Sequence, residues 1–451
     1  MSRTRSGRHA GLLAHPARAV SIAFLLAVVL GTALLLLPVS AASGNPVPLH
    51  IAVFSATSAL SVTGLAVVDP AGYWSTFGEC VQMVLIQMGG LGIMTAASLL
   101  GLLVARRLGL RTRMLVQTES SSPDLGSVRR LLVSVLRISL AIEAITWVCI
   151  TLRLIVAYGE PTGRATYLGL FHAVSAYNNA GLALWPDSLT RFGADAVLLA
   201  PIGVAMILGA LGYPVLLEVL RQHRISRWSL HTRLTLLTFL IVTLTGMVLL
   251  FPVEWNNVGS LGIHGGTAGR LTAGIFSGIT AGTAGFNVID YSHADPAARL
   301  VTEILMYVGG GSGGTAGGIK LTTLAVLILA VVAEARGDTD IQVFGRRMAT
   351  PTVRQALSVA VLVMTGVLAG TLALLMVSRA DLDSALFEVV SAVTSSGLST
   401  GITPGLPAPA RYLLSVLMFL GRVGPVTLAT SLALRSAPRR YRYPQSRPLV
   451  G

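Results

Sequence analysis

Four short segments of this chain repeat one pattern, and each lies between two long apolar runs. They read FSATSALSVTGLAVVD (54–69), FHAVSAYNNAGLALWPD (171–187), FSGITAGTAGFNVID (276–290) and FEVVSAVTSSGLSTG (387–401). Each opens with phenylalanine, passes through about nine small or weakly polar residues and reaches a glycine followed by Leu or Phe. The glycines, Gly64, Gly181, Gly285 and Gly397, are spaced by 117, 104 and 112 residues. Segments this short and polar cannot cross a bilayer, which takes roughly 20 apolar residues as helix. The repeating unit is therefore a span, a re-entrant half-helix, an extended stretch and a second span.

The pattern predicts spans near 18–38 and 76–105, 132–157 and 194–220, 230–251 and 298–335, and 355–378 and 410–435. The expected fold is an all-α polytopic membrane protein, with eight spans in four repeats around one pseudo-fourfold pore. The repeats occupy 1–110 with an N-terminal arm, 111–225, 226–345, and 346–451 with a basic tail. The first run, VSIAFLLAVVLGTALLLLPVSAASG, has the basic start and small-residue end of a cleaved signal peptide. Its apolar part approaches bilayer length and the repeat needs it, so it is read as a retained span.

Composition supports a membrane protein. Only 12% of the 451 residues are charged and 53% are apolar, with a mean hydropathy of +0.73. A soluble domain carries about 25% charge. The net charge of +14 is supplied by arginine, apart from the single Lys320. The arginines cluster in every second loop, and the loops between them hold Asp69, Glu160, Asp187, Asp290, Asp381 and Asp383. The positive-inside rule makes the basic loops and both termini cytoplasmic, so the charge calls for no nucleic acid. Cys80 and Cys149 lie in apolar segments and are read as buried small hydrophobes.

A second mark runs in the same register. Gly89, Gly209, Gly309 and Gly421 follow the first glycines by 25, 28, 24 and 24 residues. Close helix packing through small residues accounts for glycines on spans. It does not account for four polar, glycine-ended half-spans. A half-helix in the bilayer leaves backbone groups that lipid cannot satisfy, so they are covered by protein or face water. Four converging on one axis can offer carbonyl oxygens in place of a cation's hydration shell. Their helix C-termini bring partial negative charge to the same point. The candidate cation-binding strands are Val62, Thr63 and Gly64; Asn179, Ala180 and Gly181; Thr283, Ala284 and Gly285; and Ser395, Ser396 and Gly397. Asp69, Asp187 and Asp290 follow their glycines by five, six and five residues. They read as an outer rim that concentrates cations, or singly as ordinary interfacial loop residues.

The stretch GGGSGGTAGGIK interrupts the sixth span: Gly309, Gly310, Gly311, Ser312, Gly313, Gly314, Thr315, Ala316, Gly317, Gly318, Ile319 and Lys320. Seven glycines in these twelve residues, each costing about 1 kcal/mol in a helix relative to alanine, predict a break near Gly309 that ends near Lys320. Broken spans mark substrate pathways, and a loop present in one unit of four is placed to gate the pore. The alternative is a packing kink. Arg422 takes the slot that Gly90, Ala210 and Gly310 hold in the other units. A cation at that depth is expensive and expected to be functional, facing the pore or holding the loop through its carbonyls. Lys320 does likewise or snorkels to the cytoplasmic edge. Glu143, alone in the third span, reads as a structural hydrogen-bond partner.

The segments T-G-L, N-A-G-L, T-A-G-F-N and S-G-L-S-T-G, with GGTAGGIK and GRVGP later in the chain, resemble the filters and inner helices of the Trk/Ktr/HKT superfamily of cation transporters. The likeness covers nearly the whole chain, and eight spans with no extra N-terminal pair look like the KtrB-like branch. The resemblance implies potassium uptake across the cell membrane, with potassium at the filter and sodium as the alternative ion. It implies a homodimer in the lipid bilayer, and a cytosolic nucleotide-binding regulatory ring of the KtrA/TrkA kind. It makes the glycine-rich stretch an intramembrane gate. Glycine in all four filters goes with potassium preference in that family, and serine in the first goes with sodium. No organic cofactor is implied in this chain.

Rival readings find less. Gly-x-Ser-Gly around Ser312 suggests an intramembrane serine protease, yet no histidine follows His293 to serve as the base. A hydrolase elbow needs a strand before the serine. A phosphate-binding loop fails because Ile319 separates Gly318 from Lys320. No catalytic constellation emerges, so an enzyme is not expected. A gated channel, a sodium-coupled potassium symporter and a sodium-permeable pore all share these residues.

Overall fold

The computed structural model describes residues 16–107 and 125–434. Arg3, Arg5, Arg8, Arg111, Arg113 and the arginines of the C-terminal tail lie outside the described residues.

A long–short–long order of helices recurs four times. The first set is α1 (Pro16–Leu35), α2 (Leu49–Ser61) and α3 (Thr76–Arg107). The second is α4 (Leu125–Tyr158), α5 (Thr162–Tyr177) and the pair α6 (Ala196–Leu211) and α7 (Tyr213–Arg221). The third is α8 (Leu230–Glu254), α9 (Gly266–Ala281) and the pair α10 (Pro296–Tyr307) and α11 (Leu321–Arg336). The fourth is α12 (Thr350–Val377), α13 (Leu382–Thr394) and α14 (Ala408–Leu434). A two-stranded hairpin, Gln342–Val343 with Arg346–Arg347, joins the third set to the fourth.

Three helices among the described residues are long and apolar enough to cross a membrane: Arg130–Tyr158, Leu230–Glu254 and Thr350–Val377. The bent pair α6–α7 would make a fourth. The three are the first helices of their sets and turn large apolar side chains outward, among them Ile145, Val248 and Leu372. An apolar exterior of this extent belongs in lipid.

The short helices are buried between the long ones. Each second helix packs on the short helix of the next set: α3 on α5, α6 on α9, α10 on α13, and α14 back on α2. The circle closes because the last long helix covers the first short one. The phenylalanines Phe54, Phe171, Phe276 and Phe387 are core anchors, none more than 3% exposed. They sit inside their helices, not at the start. The helices begin five to ten residues earlier, after Pro48, Pro161, Gly265 and Asp381, where proline, glycine and aspartate suit an N-terminus.

Two expectations need correction. The second span of the second set is not straight: α6 and α7 meet at 100°. The bend is at Gly212, whose φ of +88° is open to glycine and strained for other residues. The following Tyr213-Pro214 restarts the helix, with proline in its first turn. Cys149 is exposed on the apolar exterior and Cys80 is half-buried, so neither is a core residue. A thiol is apolar enough to face lipid.

Candidate functional site

The short helices end against one another, and the geometry of their ends follows from four glycines. Gly64, Gly181, Gly285 and Gly397 have φ of +96°, +69°, +73° and +84°, the region where an L side chain is strained. Each also leaves no room for one. A Cβ on Gly64 would lie 3.4 Å from the Cα of Gly181, and one on Gly181 3.0 Å from the Cα of Gly285. One on Gly285 would lie 2.8 Å from the Cα of Gly397, and one on Gly397 3.0 Å from the Cα of Gly64. The same four atoms would overlap the carbonyls of Ala180, Ala284, Ser396 and Thr63 in turn. The contact order 64→181→285→397→64 is a closed ring of backbone.

The residues before each glycine are buried: Val62, Asn179, Ala180 and Ala284 at 0%, Thr63 at 0%, Ser395 at 1%, and Thr283 and Ser396 at 3%. In three strands the residue two before the glycine is left-handed: Val62 (φ +56°), Asn179 (+58°) and Ser395 (+53°). That residue ends the helix and lets the next amide reach five residues back. Thr63 N–H donates to Ser58 O (2.9 Å), Ala180 N–H to Ser175 O (2.8 Å), and Ser396 N–H to Ser391 O (3.0 Å). The third strand has one residue fewer between its phenylalanine and its glycine. It has no left-handed residue before Gly285, and Ala284 N–H reaches only four back, to Thr280 O at 3.1 Å. The missing residue explains the missing turn.

Hydroxyls brace two of the strands from behind. Ser58 donates to Leu65 O (2.7 Å) and Ser175 to Leu182 O (2.8 Å). Ser391 and Thr280 have no such partner. The second strand is braced further. Leu184 N–H donates to His172 Nε2 at 3.1 Å, so that ring is a neutral tautomer with its proton on Nδ1, facing Leu168 O. Asn178 donates to Gln87 Oε1 (2.8 Å) and Glu143 Oε1 (3.2 Å), and Gln87 also donates to Glu143. Glu143 thus links α4 to α3 and α5.

Glycines on the second helices permit close approach to these helix ends. A Cβ on Gly89, Gly209 or Gly421 would overlap the carbonyl of Leu60, Tyr177 or Val393, each four residues before the ring glycine. In the third set Gly309 faces Gly317 of its own loop instead.

That loop runs between the end of α10 at Tyr307 and the start of α11 at Leu321. A short parallel bridge, Val308 with Ile319, closes its neck. Gly309 N–H donates to Ile319 O (3.0 Å), and Leu321 N–H to Gly310 O (3.1 Å). Its body reaches into the second set: Gly311 N–H donates to Ala210 O (2.8 Å) and Thr315 N–H to Gly209 O (3.0 Å). It also reaches the fourth, where a Cβ on Gly317 would lie 2.9 Å from Ser395 Cβ. A Cβ on Gly212 would lie 2.6 Å from Gly314 N, so the bend in α6–α7 accommodates the loop. The glycines here serve close packing as much as irregular backbone.

Three side chains fix the loop. Arg422, 4% exposed, donates through Nη1 to Thr315 O. Lys320 Nζ donates to Ala316 O (2.6 Å), folding back into the loop. Asn179 Nδ2 donates to Thr315 Oγ1 (2.6 Å). Ser312 Oγ lies 3.1 Å from Thr322 Oγ1, so its hydroxyl pairs within its own segment.

The three aspartates lie beyond the ring, each engaged in its own turn. Asp69 accepts from Ala71 N–H (3.1 Å), and Asp187 pairs with Arg191 at 2.7 Å. Asp290 accepts from Ser292 Oγ (2.7 Å) and meets His293 Nδ1 at 3.0 Å. Burial raises the Asp290 pKa, but Ser292 and His293 outweigh it and hold the carboxyl below its ordinary value. The fourth set has a different acid that the sequence pattern missed. Glu388, fully buried in α13, accepts from Ser399 and from Thr403 Oγ1 (2.9 Å) and clamps the stretch after Gly397. Its one sequence signal was an acid inside an otherwise apolar half-span. Gly212 was also missed, though a glycine two before proline inside a span was its signature.

Comparison with known proteins gives one consistent result. The family described as TrkH, cation transport protein, matches residues 13–438. The Ktr system potassium uptake protein B of Bacillus subtilis is 37% identical over 436 residues, covering 97% of each chain. The potassium/sodium uptake protein NtpJ of Enterococcus hirae is 30% identical over 442 residues, again covering 97% of each. The crystal structure of the potassium transporter TrkH from Vibrio parahaemolyticus superposes with a TM-score of 0.71 at 17% identity, over 96% of this chain and 87% of that one.

Proposed function

This chain belongs to the TrkH family of cation transport proteins, and from that premise we propose that it carries potassium into the cell through a pore lined by the glycine ring. The family is one of transporters, not enzymes, and the paired hydroxyl of Ser312 gives the protease reading no support. The closed contact cycle of Gly64, Gly181, Gly285 and Gly397 carries the proposal. Four backbone strands meet there, each following the C-terminus of a buried half-helix. Backbone oxygens so placed replace the water of an alkali cation, and the helix ends favour positive charge. Carbonyls of Val62, Thr63, Asn179, Ala180, Thr283, Ala284, Ser395 and Ser396, with those of the glycines, are the proposed ligands.

The loop from Gly309 to Lys320 is the proposed gate. It touches the residues that precede the ring glycines in the second and fourth strands, so it blocks the inner end of the path. Arg422 holds it there and sets a positive barrier on the same path. Asp69, Asp187 and Asp290 form the outer cation rim. The chain spans the cell membrane eight times in four repeats with both termini cytoplasmic, pairs as a homodimer, and takes its control from a separate cytosolic nucleotide-binding ring. The relatives named as parts of a Ktr system support such a partner.

A sodium-permeable pore or a sodium-coupled symporter is the second reading, favoured by the potassium/sodium uptake named for NtpJ. Reconstitution in proteoliposomes separates the readings. A potassium-selective channel gives a reversal potential that follows the potassium gradient alone. A reversal potential set by sodium, or no cation flux, overturns the proposal. Gly64→Ser tests the ring: its φ of +96° and the adjacent Ala180 carbonyl force the strand to shift, and potassium preference falls. Unchanged preference removes Gly64 from the filter.

A further inference from the structure

We propose that Asn179 is a positioning residue through which the glycine-rich loop sets the ion selectivity of the ring. The inference rests on the transport reading above and goes beyond it, because it makes filter and gate one unit. Three strands have a left-handed residue two before the ring glycine: Val62, Asn179 and Ser395. Val62 has no polar side chain, and Ser395 Oγ is buried without a hydrogen-bond partner. Asn179 alone of the three hydrogen-bonds the loop through its side chain, where Nδ2 donates to Thr315 Oγ1 at 2.6 Å.

Thr315 is where the ties converge. Its hydroxyl lies 3.3 Å from Tyr177 O, at the end of the half-helix that leads to Asn179. Its amide donates to Gly209 O at 3.0 Å on α6. Its carbonyl accepts from Arg422 on α14. Asn179 Oδ1 is buried with no partner, so the carboxamide is oriented only through its NH2 group. When the loop leaves, Thr315 leaves with it. The carboxamide then loses its main anchor, and the left-handed turn before Gly181 is free to relax. Selectivity therefore changes with the state of the gate.

The test uses the full-length chain in proteoliposomes and reads the potassium-to-sodium permeability ratio beside the flux. Thr315→Val keeps the shape and removes the hydroxyl. Asn179→Gly removes the carboxamide and suits a positive φ. Each is expected to move the permeability ratio by about fivefold, the effect of one lost buried hydrogen bond. The double variant moves it no further than either alone, and Thr315→Ser restores it. Ser312→Ala, which loosens the loop at its contact with Thr322, is expected to move flux and the ratio together, and flux raised at a constant ratio overturns the coupling. Thermal unfolding of each variant in detergent confirms that the fold is retained. A ratio unmoved by Thr315→Val, or additive effects in the double variant, overturns the coupling while the pore reading stands. A wild-type chain that passes no cation overturns both.

Discussion

The second and third repeats solve the same geometric problem with opposite means. The second ends its half-helix in a left-handed asparagine and braces the strand with Ser175, His172 and Asn178. The third is one residue shorter, lacks the left-handed turn, and leaves Thr280 Oγ1 without a partner. Yet Gly181 and Gly285 reach the same contact in the ring. The ring is therefore specified by its glycines and their backbone contacts, and the bracing behind it differs from repeat to repeat. What the third set lacks in bracing it supplies as the loop, which leans on the second set at Gly209, Ala210 and Asn179. The most anchored strand is thus one of the two that the loop touches.

The largest expected effect breaks that contact. Deleting Gly311 to Gly314 raises flux about tenfold or more, since about 1.4 kcal/mol off a barrier gives tenfold. Flux unchanged in tracer uptake would remove the gate from the third repeat. Arg422→Gln comes next. It keeps a donor but loses the charge, and flux in the same assay rises by less than in the deletion.

The bracing difference itself is sharpened by a matched pair. Ser175→Ala lowers stability by about 1 kcal/mol, the value of one buried hydrogen bond, while Thr280→Val, which keeps the shape, costs almost nothing because the lost hydroxyl has no partner. Equal shifts in thermal unfolding would erase the contrast. The smallest effect lies at the rim. Asp290 titrates below its ordinary value, so its charge contributes above the unfolded carboxylate pKa and is lost only as the pH falls through the lower folded one. Uptake is therefore insensitive to Asp290 protonation between pH 7 and 5 — roughly the range above a free carboxylate's pKa. Asp290→Asn weakens apparent cation affinity modestly, and the difference fades at high ionic strength.

The parts legible in the sequence were those that use glycine. Four ring glycines, the glycines on the second helices and the break after Tyr307 all stand out as residue types, because backbone contact tolerates nothing larger. The bend at Gly212 was hidden because one glycine in an apolar span reads equally as packing. The structural role of Glu143 was legible, but its partners were not: Gln87 and Asn178 lie 56 and 35 residues from it and meet it only after α3, α4 and α5 have packed. The partners of Arg422 and Lys320 were half-legible. Burial cost demanded partners for both and loop carbonyls were one reading; the folded loop identifies them as those of Thr315 and Ala316.

The packing of each second helix on the next repeat's half-helix carries a consequence for how the protein is made. The half-helix at Leu49–Ser61 is the first of the four to leave the ribosome, but the helix that covers it, Ala408–Leu434, is the last of the described helices to follow. Until then the first half-helix lacks its neighbour, and a nascent chain stopped short of residue 408 has a circle with a gap. Closure of the circle is a single event that follows synthesis of the fourth set, and quality control has one seam to inspect.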